Sequence, residues 1–168
     1  MSEHETARID LIIELTIHKL GEDLKDSPST LCISGSKALE AFKLIPPRNT
    51  PEMDILVFDP VGEIVLDKIM QTIVDNCIIT YGVAQPVTYL QTSGGSGDDV
   101  ITFELGHGTG TYKIDFLYQD ELMDIVGLYQ TPPGIFRGKY KCKTNREKHA
   151  RDLQYVIDTL TLALRNGA

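Results

Sequence analysis

The chain has 168 residues, 42% of them hydrophobic and 24% charged, with a formal charge of -8. That is one domain's length, enough for a sizeable core, with the composition of an ordinary globular protein and a net acidity that argues against general nucleic-acid binding. No apolar run approaches a membrane span, MSEHETARID is too polar for a signal peptide, and Cys32, Cys77 and Cys142 lie too far apart to suggest a pairing, so the expected setting is the reducing cytoplasm without membrane contact.

Ser2 and Glu5 stand at capping-box spacing before Ile9, Ile12, Ile13, Leu15 and Leu20, which predicts a helix ending near Gly21. LCIS predicts a short strand that stops at Gly35. SKALEAFKLI has helix composition and is closed by Pro46-Pro47. MDILVFD follows as a strand and VGEIVLDKIMQTIVDN as a helix. PVTYLQT, DVITFEL and TYKIDFLY are β-type runs; SGGSGDD between the first two reads as a loop and GHGTG as a turn between adjacent strands. ELMDIVGLY has the pattern of a short helix and QTPPGIFRGK that of irregular chain. A long last helix is expected with Thr144 and Glu147 at its start and a stripe of Leu153, Val156, Ile157, Leu160 and Leu164. These elements predict one α/β (α+β) domain with a mixed sheet and helices packed on it. Its N-terminal helix would lie within 1–24, its motif-bearing core in 30–118 and its C-terminal helix in 143–166.

The chemistry concentrates in few places. Glu52 and Asp54, at i and i+2 on a strand, point the same way with Cα atoms about 6.5 Å apart. Both ionised, they repel by roughly 2.5 kcal/mol at an effective dielectric of about 20. A solvated strand end tolerates that; near a buried sheet a divalent cation between them would explain it. Asp115 interrupts the apolar run YKIDFLY, and acids are rarely buried unpaired. Three carboxylates on neighbouring strands would make an oxygen cradle suited to Mg²⁺, which commonly takes its other ligands from water and phosphates. Gly35 and Ser36, where a strand becomes a helix, could seat a phosphate: glycine permits close approach and the serine hydroxyl can donate. Lys37 could add charge there, although a lysine in that place is often simply solvated.

The order ISGSKAL, RNTPEMDIL, KIDFL resembles the nucleotidyltransferase superfamily typified by DNA polymerase β, and within it the minimal nucleotidyltransferase branch. The match falls on Gly35, Ser36, Glu52, Asp54 and Asp115, with Arg48 and Thr50 in the family's Arg-x-Thr-x-acid-x-Asp spacing; Glu52 stands where Asp is usual. The resemblance implies a nucleotidyltransferase-like fold and transfer of a nucleoside monophosphate from a nucleoside triphosphate to a hydroxyl on a small molecule, a protein or an RNA end. It implies catalytic, metal-binding roles for Glu52, Asp54 and Asp115, with two Mg²⁺ ions (Mn²⁺ as a substitute), and nucleotide contacts from Gly35, Ser36, Lys37 and Arg48. It also implies pairing with a second copy.

Arg137 to Arg151 carries seven Lys or Arg and one Glu, a net +6 that leaves the rest of the chain near -14. Such a strip can select a phosphate-bearing ligand or be a solvated helix face. The histidines His4, His18, His107 and His149 show no ligand spacing. A nucleotide-binding or interaction module on the same fold, without chemistry, is the competing reading.

Overall fold

The computed structural model describes residues 1–81, 87–92, 99–107, 110–141 and 146–165. Helix α1 spans Glu3–Asp23, and its start is the expected one: the Ser2 hydroxyl accepts from the Glu5 N–H at 3.2 Å. Ile9, Ile13 and Ile17, one turn apart, are its most buried apolar residues. Strand β1 (Thr30–Ser34) leads into α2 (Gly35–Ala41), then β2 (Glu52–Phe58) and α3 (Leu66–Tyr81).

Helix α2 ends earlier than Pro46 requires. Lys43 takes a left-handed conformation (φ 59), its N–H bonds the Glu40 carbonyl at 2.9 Å, and the Leu44 N–H reaches back to the Leu39 carbonyl at 3.0 Å. Those two bonds satisfy the last carbonyls of the helix, and Leu44 packs with Leu39, which stops the helix without proline.

Strands β3 (Val87–Thr92), β4 (Val100–His107) and β5 (Gly110–Tyr118) form an antiparallel meander. The loop expected at 93–98 and the middle of the turn at 108–109 lie outside the described residues. ELMDIVGLY does not form a helix. It is the hairpin of β6 (Ile125–Val126) and β7 (Tyr129–Gln130), turned at Gly127 with φ +62, a conformation no helix interior accepts. QTPPGIFRGK, expected to be irregular, forms most of α4 (Pro132–Lys141), since proline in a first turn lacks only an N–H that has no helical partner there. The last helix, α5, spans Arg146–Arg165, and the proposed cap Thr144 lies outside the described residues. Of its predicted stripe only Val156 is buried; Leu153, Ile157, Leu160 and Leu164 are exposed.

The fold is α+β with a mixed seven-stranded sheet in the order β3-β4-β5-β2-β1-β7-β6. β5 lies parallel to β2, β7 lies parallel to β1, and the other neighbours are antiparallel. One face carries Ile33, Met53, Ile55, Ile114, Phe116 and Phe103, which pack with the isoleucines of α1 and with Ile69, Met70 and Ile73 of α3. A smaller cluster of Ala38, Leu39, Ile45, Ile135 and Val156 joins α2, α4 and α5. No helix among the described residues is long and apolar enough to cross a membrane.

Candidate active site on the polar row of the sheet

The strand alternation that sends Met53 and Ile55 into the core sends Glu52 and Asp54 to the opposite face, and the same parity on β5 exposes Lys113 and Asp115 there. Pairing then aligns these residues across strands. Asp54 is in register with Asp115 on one side and with Ser34 on the other; Asp115 is in register with Thr102, and Thr102 with Thr92. The Ser34 hydroxyl donates to Gln130 Oε1 at 2.6 Å. A polar row, Gln130, Ser34, Asp54, Asp115, Thr102, Thr92, therefore crosses the sheet at one level. Its two central members are acids on parallel strands whose backbones lie about 4.8 Å apart.

Asp54 and Asp115 are both half-buried. The Thr102 hydroxyl donates to Asp115 Oδ1 at 2.6 Å, and Lys113 Nζ stands 3.5 Å from Asp115 Oδ2. Asp54 lies against the start of α2. Gly35 has φ +63, and a Cβ built on it would fall 2.7 Å from Asp54 Oδ2. The glycine is thus required twice, for its conformation and for the space its missing side chain leaves to the carboxylate. Ser34, the residue before α2, makes no side-chain cap bond to the helix; its hydroxyl donates across the sheet to Gln130.

Glu52 begins β2 and is exposed; its register partner is Lys113. Among the described residues no three Asp, Glu, His or Cys side chains are grouped so as to hold a metal ion, so Glu52, Asp54 and Asp115 do not converge as one cradle. The oxygen donors of Asp54 and Asp115 still suit Mg²⁺, for which one or two carboxylates suffice when phosphate and water complete the shell.

The two expected phosphate cations are directed elsewhere. Lys37 Nζ lies 2.8 Å from Asp10 Oδ2 of α1, with only 9% of its side chain exposed. Arg48 is paired through Nη2 with Asp152 of α5, a residue 2% exposed, and its N–H donates to Glu40 Oε1 at 2.5 Å. Arg48 thereby braces the loop that delivers Glu52 and Asp54. Asp10 also accepts from the Tyr112 hydroxyl, and Glu14, one turn on, accepts from the Tyr129 hydroxyl at 3.2 Å. Burial pushes the Glu14 carboxyl above the usual glutamate range, against the hydrogen bond from Tyr129. Cys32 and Cys77 are buried, and burial raises their thiols to about 12 and about 11, which suits core positions and not nucleophiles.

Sequence reasoning passed over Lys113 and Thr102. Lys113 was findable, because a residue two positions before Asp115 on a strand must share its face. Thr102 and Asp10 carry no local signal, since their roles come from pairing between distant segments.

Comparison with known proteins finds no matching family model and no matching curated protein. Among solved structures, the crystal structure of an antigenic nucleotidyltransferase-like protein from Paracoccidioides brasiliensis aligns over 89% of this chain and 76% of its own, at 15% identity and a TM-score of 0.41. A likeness of that size establishes neither a family nor a function.

Proposed function

We propose that this protein is a metal-dependent nucleotidyltransferase that moves a nucleoside monophosphate from a nucleoside triphosphate to a hydroxyl acceptor. The observation that carries the reading is the contact between the Gly35 turn and Asp54, with Asp54 in register beside Asp115. A triphosphate held by the backbone N–H groups and hydroxyl of Gly35 and Ser36 would meet both acids at once. Asp54 and Asp115 would hold Mg²⁺, which when bound neutralises phosphate charge and polarises the α-phosphorus.

The chain's own groups then have defined work. Asp115, oriented by Thr102 and Lys113, accepts the proton of the acceptor hydroxyl. The acceptor oxygen forms its bond to the α-phosphorus as the bond to the bridging oxygen breaks, and pyrophosphate leaves. The Gly35-Ser36 turn holds the departing phosphates, and Arg48 keeps the loop ahead of Glu52 in place through Asp152. Positioning and charge neutralisation supply most of the rate, as in other phosphoryl transfers. A nucleotide-binding module without chemistry is the second reading, and Glu52, standing where Asp is usual, favours it.

Calorimetric titration with each of the four nucleoside triphosphates, with and without Mg²⁺, separates the outcomes. The expected result is Mg²⁺-dependent binding of at least one nucleotide, lost in the Asp54→Asn, Asp115→Asn double variant. Folded protein that binds none of the four would refute the proposal, and binding without pyrophosphate release across an acceptor screen would leave the second reading.

A further inference from the structure

We infer that the groove between α1 and α3 receives the apolar stripe of α5 from a second copy of this chain, so that copies associate helix into groove. The inference stands independently of the proposed chemistry.

The fold leaves two apolar surfaces open. One is concave, a groove of about 590 Å³ between α1 and α3, with Ile12 and Ile69 at its floor and Leu15 and Ile79 exposed at its rim. The other is convex. Leu153, Ile157, Leu160 and Leu164 follow one another at intervals of four, three and four residues, which sets them in one row along α5. All four are exposed, because α5 is held to the body by a different face, through Asp152 to Arg48 and through Val156 to the cluster with α2 and α4. None of the described residues of α5 lines the groove of its own chain. Folded chains rarely leave such patches uncovered, and laying an amphipathic helix into a groove is a recurrent way of covering both at once.

Length and charge identify the second copy as the occupant. The row from Leu153 to Leu164 is about 17 Å long, and the groove runs along α1 from Ile12 to Leu24, about 18 Å. The Ser27 hydroxyl, just after α1, donates to Glu63, just ahead of α3, so the two helices run antiparallel and that end of the groove carries Asp23 and Glu63. Lys19 and Lys68 follow, and the far end, at Leu15 and Ile79, is lined without charge. Helix α5 has the reverse order of signs. The basic strip leads into its first two turns, where Lys148 and Arg151 stand and Asp152 is already neutralised by Arg48; Asp158 stands midway, and 159–164 carries no charge. Matching basic end to acidic end lays α5 antiparallel to α1 and brings Leu160 to the level of Leu15 and Thr16. A contact between two unlike surfaces is heterologous, so each copy offers both a helix and a groove.

Sedimentation velocity tests the contact. Wild type should run as species larger than the monomer, and Leu15→Glu in the groove and Leu160→Glu on the helix should each weaken association by at least about tenfold. Both residues are more than half exposed in the single chain, so thermal melts of dilute protein should show both variants folded as wild type is. Oxidative cross-linking in a Cys142→Ser background assigns the facing surface. A mixture of Leu15→Cys and Leu160→Cys chains should yield the mixed disulfide, and Leu160→Cys chains alone should yield none. A monomeric wild type would overturn the inference, as would an effect of Leu160→Glu without one of Leu15→Glu. Disulfide-linked pairs of Leu160→Cys chains would overturn it in favour of α5 pairing with itself.

Discussion

Replacing Gly35 with alanine tests the geometry on which the site depends. A non-glycine residue at φ +63 costs about 1–2 kcal/mol in backbone strain. The new Cβ would also lie 2.7 Å from Asp54 Oδ2, where even a close carbon–oxygen contact needs about 3.3 Å. Relief requires the carboxylate to turn away from its rotamer, at roughly 0.5–1.5 kcal/mol. The total is about 2–3 kcal/mol, a fall of about 1 M in the urea midpoint for a chain of this size. Gly127→Ala is the control: its φ is +62 but nothing lies within 4 Å of the added Cβ, so only the backbone cost of about 1–2 kcal/mol applies. A double-mutant cycle of Gly35→Ala with Asp54→Ala should then return about 1 kcal/mol of coupling, the part due to the carboxylate. Equal losses for the two glycines, together with no coupling to Asp54, would show that the turn does not press on the acid and would remove the main support for the site.

Arg48→Ala should destabilise the fold by about 2–3 kcal/mol in urea unfolding, because it strips an ion-pair partner from a nearly fully buried Asp152 while water reaches only the arginine end. Nucleotide affinity should change far less than stability; a large loss of affinity with unchanged stability would instead place Arg48 on the phosphates. Glu14→Gln should make stability less sensitive to pH. Since burial raises the folded carboxyl above its ordinary 4.5, the stability Glu14 contributes is complete below that value and is lost as pH climbs through the raised one. Gln, neutral throughout and still able to accept from Tyr129, should match wild type at pH 4 and melt a few degrees higher at pH 7. A difference that stays flat from pH 4 to pH 7 would contradict this.

Local periodicity was enough to locate α1 with its Ser2 cap, the strands β1 to β5, and the fact that Glu52 and Asp54 share one face, because alternation and capping depend on neighbours a few residues away. It misjudged 121–139, where a glycine in the left-handed region and two prolines in a first turn were read as a helix and an irregular stretch. The hairpin there exists because β7 finds β1, Ile33 N–H bonding the Leu128 carbonyl at 2.7 Å, a contact that composition cannot announce. Lys37 and Arg48 show the same limit more sharply. Each occupies a motif position that invites a phosphate, yet each is neutralised by an aspartate 27 or 104 residues away in sequence. What the sequence by itself determined was the kind of groups on each face of each strand. Which acids stand side by side, and which cations are already committed, was decided only when burying the apolar faces against α1 and α3 set β5 next to β2 and fixed the register between them.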